Sequence, residues 1–298
     1  MTCGIYACAS NGESEDDVVD APVAKFEVQA GTLYVVATPI GNLEDITMRA
    51  LAVLKGVDFV ASEDKRRTGR LLKHFGISTP QLSHHEHNWR AAAPEIVERL
   101  QSGQSAAVVS DAGTPGIADP GTELVRACVT GGVKVEPIPG ACAAVAAVSA
   151  AGLAGDGFAF LGFLPAKGAA RRAALHAALA SQTQAVLYEA PHRLAATLRE
   201  LAAEDPGREL LVARELSKLH QELIHAPAAD AAARFAESPP KGEFTIVIAP
   251  RGTALTPDEA QACGPPSRER AGDPGQYTAR LAARLALWRV RGWGRAEM

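Results

Sequence analysis

The sequence predicts an α/β protein composed of two α/β domains. Short apolar segments alternate with helical segments between Thr32 and Pro250, and this alternation is typical of a mostly parallel sheet covered by helices on both faces. A length of 298 residues suits two ordinary domains of this class better than one. The loop of small residues at 152–157 marks the expected junction between the two domains.

These observations divide the chain into four parts. Residues 1–30 hold an acidic, polar run and are expected to form a disordered extension. Residues 31–152 form the predicted N-terminal α/β domain, and residues 153–250 form the predicted C-terminal α/β domain. Residues 251–298 contain a Gly-Pro-Pro segment and an Arg-rich, Trp-bearing end without amphipathic order, so we expect a loosely structured tail.

The elements of the first domain follow from runs of apolar residues bounded by turn residues. We expect Asp45 to cap the first helix. The predicted strands are Thr32–Ala37, Asp58–Ala61, Ala106–Val109 and Val133–Pro137. The predicted helices are Thr47–Leu54, a segment ending at Phe75, Pro94–Leu100, Gly121–Val129 and the alanine-rich Ala141–Ala151.

The second domain repeats the alternation of strands and helices, which again predicts a mostly parallel sheet. The predicted strands are Phe158–Phe163, Ala185–Glu189, Glu209–Arg214 and Phe244–Ala249. The predicted helices are Ala169–Leu179, Arg193–Ala203 and Ala228–Ala236.

Composition excludes several classes of protein. Hydrophobic residues make up 47% and charged residues 21% of the chain, which is typical of soluble globular proteins. The net charge of −4 excludes a generally basic nucleic-acid binder, so RNA contact needs a local basic patch. The five cysteines are scattered without a C-x-x-C pair, which argues against a disulfide framework and a zinc site. No run resembles a signal peptide or a membrane span, so we expect a cytoplasmic protein without membrane contact.

An acidic, glycine-rich turn follows the predicted strand Ala106–Val109. It extends from Ser110 to Gly121 and holds Asp111 and Asp119, but no Lys or Arg. In an open α/β sheet, ligands bind outside the carboxyl ends of the strands. Phosphate-binding loops combine glycines with a cation, so this turn predicts a neutral or positively charged ligand.

Charged segments at the carboxyl ends of other strands predict an anionic substrate. The run Glu63–Thr68 places three cations early in a helix, where the helix dipole disfavours them, and phosphates recruit such cations. Pro165–Gly168, Tyr188–Arg193 and Arg214–His220 repeat this placement, so all four segments should line one rim of a crevice. The run His84–Asn88 is expected to bind RNA or a partner subunit rather than a metal, because adjacent ligands converge poorly on one ion.

The sequence contains no constellation for covalent catalysis. A G-x-S-x-G elbow, a P-loop and a G-x-G-x-x-G fingerprint are all missing from it, and no cysteine lies in an electropositive motif near a histidine. We therefore expect the protein to position two reactants and to transfer a group directly between them.

Six ordered motifs resemble those of the bacterial ribosomal RNA small-subunit methyltransferase I family, which belongs to the tetrapyrrole-methylase-like superfamily. The resemblance covers the chain from Thr32 to about Pro250. The motifs are Thr38–Thr47, Glu63–Thr68, Ser110–Gly121, Phe163–Lys167, Tyr188–Arg193 and Ala213–Lys218.

The resemblance implies two α/β domains with S-adenosylmethionine (SAM) in the cleft between them, and a homodimer. It further implies 2′-O-methylation of a cytidine ribose in the decoding region of 16S ribosomal RNA, within the small ribosomal subunit. A ribose hydroxyl is a very weak acid, so a positioned base should assist the transfer. The candidates for this base are Glu63, Asp64 and Glu189.

Site residues follow from the motifs. Cys142 stands where many members of the family carry Ser, and its similar size predicts that the exchange is tolerated. The expected cofactor-binding residues are Ser110, Asp111, Ala112, Gly113, Thr114, Asp119, Cys142, Ala143, Tyr188, Ala213 and Thr245. The expected substrate-binding residues are Asn42, Lys65, Arg66, Arg67, Lys167, His192, Arg193, Arg214 and Lys218.

Two alternatives remain open at this point. A superfamily member could methylate a small tetrapyrrole, although the basic clusters and the Ser-Asp-Ala-Gly-Thr-Pro form of the turn favour RNA. A catalytically inactive relative could bind RNA alone, although the intact residues of the SAM loop argue against it. A SAM-dependent thermal shift would separate the active protein from the inactive one.

Overall fold

Two five-stranded sheets organise residues 26–153, 155–236 and 240–252, which are the residues that the computed structural model describes. Both sheets belong to one compact unit, and the predicted α/β class is confirmed. No helix in these ranges is long and apolar enough to cross a membrane. Residues 1–25 of the predicted extension and 253–298 of the predicted tail lie outside the described residues, as do Cys3, Cys8 and Cys263.

The first sheet is built from residues 32–138. Its strands are β1 (Thr32–Val36), β2 (Phe59–Ser62), β3 (Gln81–Ser83), β4 (Ala106–Val109) and β5 (Lys134–Ile138). Their spatial order is β3-β2-β4-β1-β5, and every neighbouring pair is parallel. The predicted parallel sheet is therefore confirmed in this half, and the carboxyl ends of its strands share one edge.

Helices cover both faces of the first sheet, as predicted. They are α1 (Met48–Gly56), α2 (Lys65–His74), α3 (Trp89–Gln101) and α4 (Thr122–Thr130). Successive side chains of a strand point to opposite faces, so Tyr34 packs with Leu54 of α1 and Leu72 of α2. Its neighbour Leu33 packs on the other face with Ile96 of α3.

The second sheet is mixed, so the prediction of a mostly parallel sheet is wrong for this half. Its strands are β6 (Phe158–Phe163), β7 (Gln184–Glu189), β8 (Glu209–Arg214), β9 (Glu222–Pro227) and β10 (Phe244–Ile248). The order is β6-β7-β10-β8-β9; only β6 and β7 pair in parallel. A short turn joins β8 to β9 without the crossover that a parallel pair would require.

The helices of the second half also lie on two faces of their sheet. They are α5 (Ala143–Ala151), α6 (Gly168–Ala180), α7 (Pro191–Glu204) and α8 (Ala228–Arg234). Helix α5 precedes β6 in the chain but packs on the second sheet, where Ala144 and Ala147 contact the cluster around Val186 and Leu211. The other three helices cover the opposite face, around Leu187 and Ile246.

Two local predictions were wrong, and two strands were missed. The cap of α1 is Thr47, whose hydroxyl accepts a hydrogen bond from the Ala50 N–H at 3.1 Å, whereas Asp45 ends a 3₁₀ helix at Leu43–Asp45. Helix α3 begins at Trp89, so Pro94 lies inside it. Strands β3 and β9 were not predicted, because the first has only three residues and the second is a half-exposed edge strand ending in Pro227.

Candidate active site

A cavity of about 340 Å³ lies where the strand ends of the two sheets meet. Its first-half wall comes from the turns after β1, β4 and β5, and its second-half wall comes from β6, β7, β8 and the start of β10. None of the described residues on this wall is Lys or Arg. The lining residues are Ile40, Ala112, Gly113, Thr114, Ile117, Ala118, Asp119, Cys142, Ala143, Phe163, Tyr188, Glu189, Ala190, Pro191, Ala213, Leu216, Glu243, Phe244 and Thr245.

The turn after β4 is held in place by backbone hydrogen bonds. Thr38 and Gly113 each donate an N–H to the other's carbonyl, at 2.9 and 3.0 Å, and the Thr114 hydroxyl donates to the Ala141 carbonyl at 3.0 Å. Gly113 has a φ of +82°, and a Cβ there would lie 3.4 Å from Ile40 Cγ2. A glycine is therefore required for the backbone of this turn to face the cavity.

Asp111 braces two neighbouring turns and does not line the cavity. Its Oδ1 accepts the Asp64 N–H at 3.2 Å, while its own N–H donates to Glu63 Oε2 at 3.1 Å. Its Oδ2 lies 3.4 Å from Arg67 Nε. These contacts couple the turn after β2 to the turn after β4, so Asp111 acts on the cavity through the position of Ala112 and Gly113.

Three carboxylates crowd this part of the first-sheet edge. Burial raises the pKa of Glu63, and the charges of Asp111 and Asp119 raise it further, against the Asp111 N–H that lowers it. Burial also raises the pKa of Asp119, again with Asp111 contributing. Asp64 differs, because its hydrogen bonds with Arg66 lower its pKa to about 2. The electrostatic potential of this edge therefore favours a cation over an anion.

The predicted second-half cofactor residues lie side by side. Tyr188, Thr245 and Ala213 occupy one register across β7, β10 and β8. The Tyr188 hydroxyl accepts the Ala144 N–H of α5 at 3.1 Å, and its ring meets Phe160 and Phe163 edge to face, with centroids 4.8 and 5.8 Å apart. Burial raises the Tyr188 pKa, so this hydroxyl stays protonated and fixes α5 against the sheet.

Glu189 is a buried carboxylate with both oxygens engaged. Oε1 accepts the Ala190 N–H at 2.9 Å and lies 3.2 Å from Arg193 Nε, and Oε2 accepts the Thr197 hydroxyl. Arg171, which is also buried, lies 3.9 Å from Oε2. Glu189 therefore anchors the start of α7 and is not free to take a proton from a substrate.

Several of the predicted substrate-binding residues are held within the protein. Arg193 also donates to the carbonyls of Leu164 and Pro165, at 2.6 and 3.1 Å. Arg214 donates to the Lys241 carbonyl at 2.8 Å, and Asn42 accepts the Glu44 N–H as a cap of the 3₁₀ helix. These contacts leave the named side chains less available to a bound phosphate.

Lys218 joins the two halves of the cleft. Its Nζ contacts Glu215 at 2.8 Å and Glu243 at 2.7 Å, and these two carboxylates raise its pKa against the effect of burial. A Cβ at Gly41 would lie 2.3 Å from Lys218 Cγ, so only glycine permits this approach. Ser217 beside it donates to Asp45 across the cleft.

The exposed basic residues lie beside the cavity. Lys65, Arg66, Lys167 and His192 are exposed, and the Arg66 side chain is 89% accessible although it pairs with Asp64. A second cavity, of about 360 Å³, separates α2 from the turn after β1. Sequence reasoning missed its Arg70 and His74, whose spacing from Arg67 places all three on one face of α2.

A further basic cavity, of about 460 Å³, lies between α6 and α7. Lys167, Arg172, His176 and His192 line it. Arg171 and Glu200 also line it, and they pair with each other at 2.9 Å.

The histidine run after β3 has a structural environment of its own. His84 is 2% accessible, its Nε2 has no hydrogen-bond partner, and burial lowers its pKa. Asn88 accepts the His85 N–H at 2.8 Å and thereby closes the turn. Throughout the part of the chain that the structure describes, no group of three His, Cys, Asp or Glu side chains could hold a metal ion.

Comparison with known proteins places the chain in a family. The family Tetrapyrrole (Corrin/Porphyrin) Methylases matches residues 32–232. Over 220 residues the chain is 51% identical to the ribosomal RNA small subunit methyltransferase I of Synechocystis sp., covering 74% of this chain and 79% of that protein. Over 204 residues it is 50% identical to the protein of the same name from Pseudomonas aeruginosa, covering 68% and 72%.

Solved structures are similar in fold. The uroporphyrin-III C-methyl transferase from Thermus thermophilus, complexed with S-adenyl homocysteine, gives a TM-score of 0.51 at 19% identity, over 72% of this chain and 96% of that chain. The fold and the cleft define a two-sheet α/β methylase. The chain belongs to the tetrapyrrole methylase family, and within it to the ribosomal RNA small subunit methyltransferase I group.

Proposed function

We propose that this protein transfers the methyl group of SAM to the 2′ oxygen of a cytidine ribose in the decoding region of 16S ribosomal RNA. The observation that carries the proposal is a cavity that has carboxylates, and no Lys or Arg, among its described lining residues. Exposed basic residues at the starts of nearby helices flank this cavity. The relatives named as ribosomal RNA methyltransferases support the same assignment. The potential of the cavity favours a positively charged donor, and the basic surroundings favour RNA.

The residues of the cavity fit SAM. The wall is mainly apolar, as an adenosyl group requires, and it carries the Asp119 and Glu243 carboxylates, which suit a positive charge. When bound, SAM supplies a methyl group activated by a sulfonium. The residues that would hold it are Ala112–Thr114, Cys142, Ala143 and the row formed by Tyr188, Thr245 and Ala213. Ser110 and Asp111 keep the turn after β4 in position for this contact.

The exposed basic side chains would hold the phosphates that flank the target ribose. Lys65 and Arg66 lie at the start of α2, and Lys167 and His192 lie at the starts of α6 and α7. Phosphate contacts fix the register of an RNA without reading its sequence. A net charge of −4 makes broad attraction to naked RNA weak, so we propose that the folded small subunit, with its defined shape, is the substrate.

The residues of the chain contribute mainly alignment. Three turns joined by Thr38, Gly113 and Thr114 hold the donor side of the cleft, while the basic helix starts hold the acceptor. Fixing both reactants in an in-line geometry supplies a large share of the acceleration of such a transfer. We further propose that the protein is a cytoplasmic homodimer, as the family resemblance implies.

Methyl incorporation tests this function. The purified protein would be incubated with methyl-labelled SAM and, separately, with unmethylated small ribosomal subunits, naked 16S RNA and a uroporphyrinogen-type tetrapyrrole. We expect label in the subunits, less in naked RNA and none in the tetrapyrrole. SAM binding without label in either RNA would contradict the proposed activity, and label in the tetrapyrrole would reassign the substrate.

A further inference from the structure

The side chain of Asp119 occupies a distinctive place in the cavity. It lies on the wall between the turn after β4 and the start of α4, and it is half-buried. Its neighbours Ile117 and Ala118 are exposed to solvent. Asp119 therefore lies on the cavity wall next to a solvent-exposed segment of the same turn.

The other carboxylates of the cleft are engaged by donors and cations. Asp64 caps α2 and pairs with Arg66 at 3.0 Å. Glu189 is surrounded by Arg171, Arg193 and Thr197. Glu243 pairs with Lys218 at 2.7 Å. The oxygens of these three carboxylates are therefore already engaged within the protein.

Glu63 is engaged by a backbone hydrogen bond. It accepts the Asp111 N–H at 3.1 Å and does not appear on the wall of the 340 Å³ cavity. Its role is to hold the turn after β4 and not to meet a ligand there. None of the three base candidates from the sequence therefore combines access to the cavity with a free carboxylate.

Asp119 combines both properties. Within the described residues it takes part in no ion pair, and the nearby Ser110 hydroxyl opposes the rise in its pKa. The charged and titratable groups that interact with it electrostatically are Asp111, Glu63, Glu243 and the Tyr188 hydroxyl, none of which is a cation. Burial and the neighbouring carboxylates raise the pKa of Asp119, so it is a stronger base than an exposed aspartate.

We propose that Asp119 is the catalytic residue that accepts the proton of the ribose 2′ hydroxyl. The inference rests on the proposed function and deepens it by naming the base. The 2′ oxygen forms a bond to the methyl carbon, the bond from that carbon to sulfur breaks with its electron pair left on sulfur, and the hydroxyl proton passes to Asp119. The products are the 2′-O-methyl ribose, S-adenosylhomocysteine and a neutral Asp119.

The test uses Asp119→Asn, which preserves the shape and the Ser110 contact but removes the basic oxygen. The matched control is Asp230→Asn, the same exchange at an exposed position of α8. For each protein, SAM affinity would be measured by calorimetry, and single-turnover methyl transfer to small subunits would be measured between pH 5 and 9. Thermal unfolding would verify that each variant is folded.

The expected result is a loss of the transfer rate at saturating SAM of about 100-fold or more in Asp119→Asn, larger than the loss of SAM affinity that follows from removing one carboxylate of the cavity wall. The acidic limb of the native pH profile should disappear with the carboxylate. Asp119→Glu, which restores a carboxylate at a shifted position, should regain part of the rate and the acidic limb.

Two results would overturn this role. Transfer by Asp119→Asn at a rate near the native one would show that the carboxylate takes no proton. A loss of SAM affinity equal to the loss of rate would make Asp119 a cofactor ligand alone. If Asp119→Asn does not fold, failure of a folded Asp119→Glu to show the acidic limb would refute the proposal. Absence of transfer by the native protein would instead refute the proposed function.

Discussion

The Glu189→Gln substitution tests the claim that Glu189 is a structural anchor. The change removes one charge from a site where Glu189 is 3% accessible and where Arg171 and Arg193 face it at 3.9 and 3.2 Å. Breaking a buried ion pair by removing one partner costs roughly 3–5 kcal/mol. Arg171 keeps Glu200 and Arg193 keeps two carbonyl partners, so we expect the lower end, about 3 kcal/mol.

Equilibrium unfolding in urea measures this loss directly. The control is Glu204→Gln, which changes a half-exposed carboxylate of the same helix near His176; exposed substitutions of this kind change stability by about 0.5 kcal/mol or less. A loss below about 1 kcal/mol for Glu189→Gln, at an unchanged m-value, would refute the anchoring role. It would then return Glu189 to the candidates for the base.

Further substitutions probe the turns at the first-sheet edge. Gly113→Ala should weaken SAM binding measured by calorimetry, because its φ is +82° and the Ile40 side chain is close. The control is Gly103→Ala, where φ is +97° but the surrounding space is open, so this change should lower stability and leave SAM affinity unchanged. Asp111→Ala should abolish SAM binding, because it releases the turn after β4. Arg66→Ala should weaken only RNA binding, measured by a filter assay. The reverse pattern would contradict these separate roles in SAM binding and RNA binding. The pKa of Asp64 in the folded protein, about 2, lies below its ordinary value of 3.8. The ionised Asp64 side chain therefore stabilises the folded state above pH 4, and this stabilisation is lost as the pH falls through 2. The difference in Tm between the native protein and Asp64→Asn should therefore be constant above pH 5 and close towards pH 2, and a constant difference would count against the cap.

The parts of the site that rest on local chemistry were predictable from the sequence. The turn after β4 combines an apolar strand with a Gly-rich, acidic segment, and both features are visible without a structure. The row of Tyr188, Thr245 and Ala213 came from motif resemblance, and the register of β7, β10 and β8 brings these residues together. A regular alternation of helices and strands was sufficient for the α/β class.

The direction of strands in the second sheet could not be predicted in the same way. A buried strand such as β8 has the same apolar pattern whether its neighbour is parallel or antiparallel. The turn between β8 and β9 was the available signal, and the polar, half-exposed residues of β9 concealed it.

The sequence also could not predict which charged side chains are paired within the protein and which are free. Lys218, Arg193 and Arg214 have the composition of a phosphate site, but tertiary contacts with Glu243 and with the carbonyls of Leu164 and Lys241, respectively, engage them. Partners that are distant in sequence decide whether a cation is free. The same reasoning changes the role assigned to Asp119 from a cofactor contact to a proton acceptor. Its lack of a cationic partner within the described residues is a property of the fold and not of the motif.

The position of the transferred methyl group tests the central claim most directly. Unmethylated small subunits would be treated with the protein and SAM, and the 16S RNA would be analysed by mass spectrometry and by partial alkaline hydrolysis. A 2′-O-methyl group blocks cleavage at its own nucleotide, so we predict one protected cytidine in the decoding region, formed only when SAM is present. A methyl group on a base, or on a ribose elsewhere in the RNA, would contradict the assignment.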